Sequence, residues 1–384
     1  MGLQVASSAA AFDRTANTFQ LDLSDRLGEL IREDNNALLS KIGASGLSAT
    51  QKSHRWDEDK LNPNTATISG AHNDAVNTIN VSGAHGLRFK VGTLFKIDAQ
   101  DNNEVFQVVT AGTPDDLIVA TRPYGGSAAA LSGGETVIII GHNKQEDWEP
   151  SKEDWTQERT ARNNFLSTFG YGIAIGYVRE LVNNIPIASE LAHQIGYRLQ
   201  EFARSLDSAL INSYKSSDEG SDTVYSSFEG LMESVIAGGN TTSSAQDLSM
   251  SVINASGNLI WDNAGFMSGK TLFLLTSGKQ KRNISAFDQA YRRSEFSTKI
   301  AGYVVEKIIT DLGYELEVIV DPHCPSDTIV LGDYTRVKVG PLNGDSFRYE
   351  ELSKTGRLYQ GMVSGTYTME TWNREAFAIV SNLN

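Results

Sequence analysis

The sequence predicts an α+β protein with more than one domain. Its 384 residues exceed what a single hydrophobic core usually serves. Residues 165–178 alternate large side chains at odd positions with small ones at even positions, the period-two pattern of a β-strand. Residues 187–215 instead repeat apolar side chains every three or four positions, which is typical of a long amphipathic helix. A third region, residues 64–143, contains short β-type runs separated by turn residues.

Residues 1–55 are predicted to form an N-terminal arm. Residues 1–20 are rich in Ala, Ser and Thr without hydrophobic periodicity, so we expect a mobile segment there. Residues 22–43 indicate two short helices. Ser24 can cap the first, and the second carries its apolar side chains on one side, at Ala37, Leu38, Leu39 and Ile42.

Residues 56–150 are predicted to form an insertion with a small core of its own. The β-type runs lie at Val76–Ser82, Leu87–Phe89, Thr93–Ile97, Val105–Thr110, Leu117–Thr121 and Thr136–Ile140. Short strands at this spacing are typical of a small antiparallel barrel or a sandwich, and the sequence leaves both open. The charged residues 146–162 are interpreted as a connector to the next domain.

The strand at 165–178 and the helix at 187–215 are assigned to a domain spanning residues 151–222. The apolar stripe of the helix consists of Leu191, Ile195, Leu199, Phe202, Leu206 and Leu210. At about 1.5 Å per residue, this helix would be roughly 43 Å long. Because it carries no catalytic motif, the long helix beside a strand favours a mechanical role.

Residues 223–340 alternate between helix and strand patterns and predict a mixed α/β domain. The helices are expected near Leu248–Trp261 and Lys279–Tyr291, and the strands at Thr271–Thr276, Tyr303–Ile309, Tyr314–Val320 and Thr328–Leu331. Residues 341–384 are predicted to return as closing strands, with runs at Thr366–Thr371 and Phe377–Val380.

Composition narrows the classes of function. The formal net charge is −14 and no basic patch stands out, which argues against a protein that grips nucleic acid through its phosphates. No stretch approaches the roughly 20 apolar residues that a membrane span needs, and residues 1–14 lack the features of a secretory signal. Cys324 is the single cysteine, so no intramolecular disulfide can form, and we expect it to be a buried filler.

One segment matches a loose phosphate-binding loop, residues 264–271, which end in Gly269-Lys270-Thr271. A true phosphate loop follows a strand and precedes a helix, because the helix N-terminus and backbone N–H groups hold the phosphate. Here a helical pattern precedes the segment and a strand pattern follows it. The inverted context favours a simple turn. A nucleotide-binding enzyme that uses this segment stays open as an alternative hypothesis.

The remaining chemistry-bearing residues form no recognisable site. The six histidines lack metal-ligand spacing, and no Gly-x-Ser-x-Gly elbow is present. We therefore predict no catalytic, cofactor-binding or metal-binding residues and no cofactor. Exposed carboxylates and tryptophans are better explained as salt-bridging or packing groups. The candidate intersubunit contacts are Trp56, Asp57, Asp59, Trp148 and Trp155, with packing on the chain's own domain edge as the alternative for Trp148 and Trp155.

The order of these segments resembles the major capsid proteins of tailed bacteriophages, which have the Hong Kong 97-type fold. The segments that carry the resemblance are Asp22-Leu-Ser-Asp25, Leu38-Leu-Ser-Lys-Ile-Gly43, His54-Arg-Trp56-Asp57-Glu-Asp59-Lys-Leu61 and Gly365-Thr-Tyr-Thr-Met-Glu-Thr-Trp372. The segment from His54 to Leu61 is similar to one that precedes the extended loop in a subfamily with a β insertion. No cleaved pro-segment and no Lys–Asn crosslinking pair is evident.

The resemblance implies an N-terminal arm (1–55), an extended loop with a β-barrel-like insertion (56–150) and a peripheral domain with a spine helix (151–222). It also implies an axial domain (223–340) and C-terminal strands that return to the peripheral domain (341–384). The implied function is self-assembly into pentamers and hexamers of an icosahedral or prolate shell around double-stranded DNA, without sequence-specific contacts. The partners would be portal, scaffold and decoration proteins. The protein would have no enzymatic activity and would not contact a membrane. It would assemble into the virion capsid in the host cytoplasm.

A shell subunit of this kind is expected to bury its arm and its extended loop on neighbouring copies. The alternative within the same fold is an encapsulin-like nanocompartment, which would hold enzyme cargo instead of a genome.

Overall fold

The computed structural model describes residues 36–43, 46–83, 85–98, 103–113, 117–149, 159–181, 189–216, 225–264, 271–286, 292–293, 307–353 and 356–384. The chain divides into two compact units, residues 1–56 with 161–384, called the body, and residues 57–160, called the insertion unit. The further division of the body into peripheral and axial domains stays a prediction. In the described ranges, no helix is long and apolar enough to cross a membrane.

The body contains a seven-stranded mixed sheet and a four-stranded antiparallel sheet. Its helices are α1 (Ala37–Ile42), α2 (Tyr177–Leu181), α3 (Glu190–Asn212), α4 (Leu231–Gly238), α5 (Met250–Ala264) and α6 (Gly278–Ser285). The larger sheet has the order β10 (Thr241–Ser243), β19 (Ala378–Ser381), β15 (Ile329–Gly332), β11 (Thr271–Thr276), β14 (Glu315–Val320), β13 (Lys307–Ile309) and β12 (Arg292–Arg293).

The smaller sheet is organised around one long strand, β18 (Leu358–Thr371). It pairs antiparallel with β9 (Ser167–Gly176), β17 (Arg348–Glu351) and β16 (Val337–Pro341). A separate two-stranded pair joins β1 (Ser53–Glu58) and β8 (Thr160–Phe165). One continuous hydrophobic core links α3, α4 and α5 with both large sheets.

The predicted spine helix is present as α3, but it is shorter than expected. It begins after Ser189, whose hydroxyl accepts the N–H of Ala192 at 3.2 Å, and it ends at Asn212. Phe202, Leu206 and Leu210 are buried as the stripe predicts. The predicted burial of Leu199 is wrong, because this side chain is 37% exposed. Residues 191–201 of α3 are at most partly covered, and the fully buried stripe residues lie further along the helix.

The strand predicted at 165–178 is β9, which is also shorter. Phe165 belongs to β8, and the chain turns into α2 at Tyr177. Within β9 the large residues Ile173 and Ile175 are buried, while Gly170 and Gly172 on the other face are exposed. The alternation arises because one face of β9 packs against α3.

The described part of the arm corrects the expectation that the arm packs only on neighbouring subunits. Ala37 and Leu38 of α1 are buried in the body core, and Ala49 is fully buried where it pairs with Leu342. The N–H of Ala49 donates to Pro341 O at 3.1 Å. The helix predicted around Ser24 and the mobile segment 1–20 lie outside the described residues.

The insertion unit is a six-stranded antiparallel sheet with the order β2 (Thr65–Thr67), β7 (Thr136–His142), β4 (Thr93–Ile97), β5 (Val105–Thr110), β6 (Leu117–Gly125) and β3 (Thr78–Asn80). The N–H groups of Ser69 and Ser82 donate to Asn80 O and Thr67 O, both at 2.8 Å. These bonds join the two end strands and close the sheet into a small barrel. Its core is filled by aromatic and branched side chains, among them the stacked Phe95 and Phe106.

Several strand and helix boundaries differ from the predictions. Residues 86–88 form a 3₁₀ turn instead of a strand, and the short strand β2 was not predicted. The helix predicted at 279–291 corresponds to α6, which ends at Ser285, and residues 287–291 lie outside the described ranges. The helix α4 and the strand β17 were missed, because both are short, with eight and four residues.

Candidate assembly surfaces and a buried carboxylate cluster

Trp56, a predicted intersubunit contact, packs mainly within its own chain. It lies on the buried face of β1 and is 9% exposed. Its ring stacks on His54 with centroids 6.2 Å apart, and His54 Nε2 lies 2.5 Å from Glu370 Oε1. The other oxygen of Glu370 accepts the indole N–H of Trp372 at 2.7 Å. Only a small part of Trp56 is therefore open to a neighbouring subunit, and its role there stays a prediction.

Asp57 and Asp59 follow on the exposed side of the chain. Asp59 Oδ2 lies 3.9 Å from Arg159 Nε, and both side chains are about two-thirds exposed or more, at 67% and 71%. A pair this open to solvent contributes little to the stability of the single chain. Both carboxylates are thus accessible to other copies of the chain. Their contact with another copy stays a prediction.

Trp148 lies four residues after a lysine on the segment that follows β7. It is 43% exposed, and Lys144 Nζ lies 5.7 Å from the centre of its ring. A half-exposed indole with a cation on one side leaves apolar surface that a partner could cover. Trp155 lies outside the described residues.

Other large apolar side chains are exposed that the sequence analysis did not single out. In the insertion unit they include Leu87, Val91, Val109, Tyr124 and Ile140, each between 48% and 54% exposed. In the body, Tyr214 and Tyr225 are 76% and 98% exposed. Period-two alternation separates the buried face of a strand from the exposed face only when the exposed face is polar. Here several strands carry apolar residues on both faces, so the pattern does not show which of them are exposed.

A buried cluster of Asp207, Asp321 and His323 was also missed. Asp207 lies on the buried side of α3, and Asp321 and His323 directly follow β14. His323 Nδ1 lies 3.2 Å from Asp207 Oδ2 and 3.0 Å from Asp321 Oδ1. The signal that could have indicated it is a carboxylate, Asp207, between the apolar stripe residues Leu206 and Leu210.

Burial, together with the hydrogen bond and the charge of Asp321, raises the pKa of Asp207 to about 7. The Leu39 N–H and His323 act in the opposite direction. One carboxylate oxygen of each aspartate and one ring nitrogen of His323 lie within 4.8 Å of one another, a spacing that a cation could accept. Each carboxylate oxygen, however, is already within hydrogen-bond distance of a nitrogen of the protein, so the cluster is satisfied without an ion.

The segment that resembles a phosphate loop lies mostly outside the described residues, at 265–270. Its surroundings are as predicted, because α5 precedes it and β11 follows it. Cys324 is buried, also as predicted. Burial and the charges of Asp321 and Asp327 raise the pKa of its thiol to about 12.

Comparison with known proteins finds similarity to capsid proteins. A family model described as SU10 major capsid protein matches residues 7–384. The solved structure "Capsid of native GTA particle computed with C5 symmetry" is 11% identical, with a TM-score of 0.51 over 99% of this chain and 100% of that chain. No curated protein matches significantly.

Two further solved structures match at lower similarity. A structure from Microbacterium phage Oxtober96 is 12% identical, with a TM-score of 0.48 over 98% of both chains. The holo-SrpI encapsulin complex from Synechococcus elongatus PCC 7942 is 12% identical, with a TM-score of 0.43 over 62% of this chain and 80% of that chain. Of these three structures, the GTA capsid supports the fold, and the match to the family model carries the assignment to a family.

Proposed function

Because the chain belongs to the SU10 major capsid protein family, we propose that it assembles into pentamers and hexamers of an icosahedral or prolate shell that encloses double-stranded DNA. As a major capsid protein of the tailed-phage type, it is a structural subunit of the virion capsid. The predicted α+β fold of the Hong Kong 97 type is confirmed, and its division into extended loop, peripheral domain and axial domain stays a prediction. The family match over residues 7–384 is the observation that carries the proposal.

The described surfaces are suited to repeated contacts between copies. The half-exposed Trp148 and the exposed apolar residues of the insertion unit offer surface whose burial would favour association. Heterologous contacts that repeat around an axis close into rings, and rings of five and six can tile a curved shell. The net charge of −14 would let packaged DNA lie inside without tight adhesion.

Several finer statements belong to the same proposal. Assembly takes place in the host cytoplasm, and portal, scaffold and decoration proteins are the partners. The subunit binds DNA without sequence-specific contacts and has no enzymatic activity. Calorimetry tests whether the chain is a nucleotide-dependent enzyme. We expect the wild type to bind no ATP. Binding of ATP that Lys270→Ala abolishes would instead support a nucleotide site.

Electron microscopy of the purified full-length chain tests assembly. We expect rings or closed shells, and a stable compact monomer under all assembly conditions would contradict the proposal. An encapsulin-like function would instead give shells that contain protein cargo. Particles isolated from cells and analysed for nucleic acid and for copurifying protein distinguish the two.

The contact role of Trp148 is testable against a matched tryptophan. Trp148 and Trp261 are both 43% exposed, but only Trp148 is a predicted intersubunit contact. Tryptophan is enriched among the few contact residues whose truncation costs about 2 kcal/mol or more, and about 1.4 kcal/mol is a tenfold change in affinity. Trp148→Ala should therefore raise the critical concentration for assembly at least about tenfold. Trp261→Ala should leave it within about twofold. Equal effects of the two variants would remove Trp148 from the interface.

A further inference from the structure

The four-stranded sheet of the body ends on one side at β9, whose outer edge has no partner among the described residues. β9 pairs with β18 through ten consecutive residue pairs, from Ser167 with Tyr367 to Gly176 with Leu358. A strand with a neighbour on one side only directs the N–H and C=O of every second residue away from that neighbour. Within the described ranges, the backbone groups of residues 168–175 bond to β18 alone. About half of the backbone groups of β9 are therefore open to a further strand.

The other sheet edges of the described structure are protected. In the seven-stranded sheet, the outer strands β10 and β12 have three and two residues, and β12 consists of Arg292 and Arg293. On the far side of the four-stranded sheet, β17 has four residues and includes Arg348, and β16 is bonded by the N–H of Ala49. The pair β1–β8 carries charged residues on both strands, and the barrel of the insertion unit is closed. Short length, charge and coverage are the devices that keep an edge from pairing with another chain.

β9 has none of these devices. It is ten residues long, and its sequence, Ser-Thr-Phe-Gly-Tyr-Gly-Ile-Ala-Ile-Gly, contains no charged residue and no proline. Its register with β18 shows no bulge. A long, regular and uncharged edge is a template for a strand from another chain, and it promotes aggregation unless a specific partner covers it.

We propose that the free edge of β9 pairs antiparallel with β9 of a second copy across a two-fold axis, so that the four-stranded sheets of two copies join into one. The proposal deepens the shell assembly proposed above and rests on it. A two-fold contact uses the same surface of both copies, so a single contact covers both open edges. Pairing with any other described edge would place β9 against a short, charged or covered strand. Because β9 is uncharged, the self-pairing brings no like charges opposite each other.

The geometry of such a pair determines which residues meet. A two-fold axis perpendicular to the sheet keeps α3 of both copies on one face, because each α3 packs on its own β9. The exposed Thr168, Gly170, Gly172 and Ala174 of the two copies then line the opposite face together. Near the axis, identical residues lie directly or diagonally opposite, with Cα atoms about 4.5–8 Å apart. Identical residues further along the strand lie increasingly far apart.

Crosslinking tests the pairing on particles assembled from the full-length chain. The single variants Thr168→Cys, Gly170→Cys, Gly172→Cys and Ala174→Cys are treated with a short bis-maleimide. The wild type gives the background, since Cys324 is buried. A Cβ at Gly172 meets no atom within 4 Å, so the strand accepts the new side chain. We expect covalent dimers at least tenfold above the background at one or two neighbouring positions, with lower yields further from the axis.

Hydrogen exchange followed by mass spectrometry tests whether the contact is a strand pair. In the dilute, unassembled chain, about half of the β9 amides should exchange at least tenfold faster than the half bonded to β18. In particles, the fast amides should become protected at least tenfold. The control is β11, which lies between β14 and β15 and should be protected in both states.

A pair of lysines tests the contribution of the edge to assembly. Gly172→Lys combined with Ala174→Lys places cations on the exposed face of β9, where they would oppose those of the second copy. We expect the critical concentration for assembly to rise at least tenfold. The matched control is Ala255→Lys combined with Asn258→Lys, at exposed positions of α5, which changes the net charge equally and should stay within about twofold.

Failure of this inference differs from failure of the proposed function. Shells that form without β9 dimers at any of the four cysteine positions overturn the two-fold pairing, while the proposed function stands. Protected β9 amides without such dimers also overturn it, because a different strand then covers the edge. Copies that neither crosslink nor assemble contradict both.

Discussion

Asn164 offers the most demanding prediction about the body, because all of its hydrogen-bonding groups are used in a buried place. It lies on β8 and is 2% exposed. Its Nδ2 donates to Glu229 O at 3.3 Å and to Met369 O at 2.7 Å. Its Oδ1 accepts the N–H groups of Phe165 at 2.9 Å and Glu229 at 2.7 Å. One side chain thus joins β8, β18 and the segment before α4.

The substitution Asn164→Asp preserves shape, removes the donor and adds a negative charge at neutral pH. Two carbonyl oxygens would lose their donor and face a carboxylate, and leaving a buried charge uncompensated costs about 3–5 kcal/mol. The penalty should shrink in acid, because a protonated carboxyl regains one O–H donor while burial raises its pKa. We therefore expect about 3–5 kcal/mol of destabilisation at pH 7 and clearly less at pH 4.

The assay is guanidinium unfolding of the unassembled full-length chain, followed by tryptophan fluorescence at both pH values. The matched control is Asn382→Asp, at an exposed position with φ of 60° that Asp also tolerates. The control should stay within about 0.5 kcal/mol. An equally small effect for Asn164→Asp, or a penalty that grows in acid, would refute the reasoning.

Three other substitutions test separate parts of the fold. Phe202→Ala removes a fully buried ring that contacts Phe347 with centroids 4.5 Å apart, so it should cost about 3–5 kcal/mol in the same unfolding assay. Arg122→Met leaves Glu104 as an unpaired buried charge and should cost a similar amount, with loss of hydrogen-exchange protection confined to the insertion unit. Gly340→Ala places a Cβ 2.1 Å from Leu47 O, so it should displace residues 46–49 from β16 and raise their exchange rate, while protection in α5 is unchanged.

The sequence predicted the elements whose periodicity is strong. The strand β11 has the predicted bounds, as do β4 and β5 in the insertion unit. The core positions Phe202, Leu206 and Leu210 were likewise predicted, because a helix that packs on one face shows its stripe in the sequence alone.

The features that were missed depend on contacts between residues far apart in the chain. Leu199 has the spacing of the stripe, but residues 191–201 of α3 are at most partly covered, which leaves it 37% exposed. Asp207 and His323 are 116 residues apart, so only the folded chain brings them together. The docking of α1 was missed for the same reason: its amides find their partners 168 and 283 residues away.

The most direct test of the central claim is a cryo-electron microscopy reconstruction of particles assembled from the full-length chain. The account predicts a closed shell in which α1 stays on its own body while Val109, Tyr124 and Ile140 of the insertion unit are covered by a neighbouring copy. A shell whose insertion units contact no neighbour, or a preparation that yields only monomers, would contradict it.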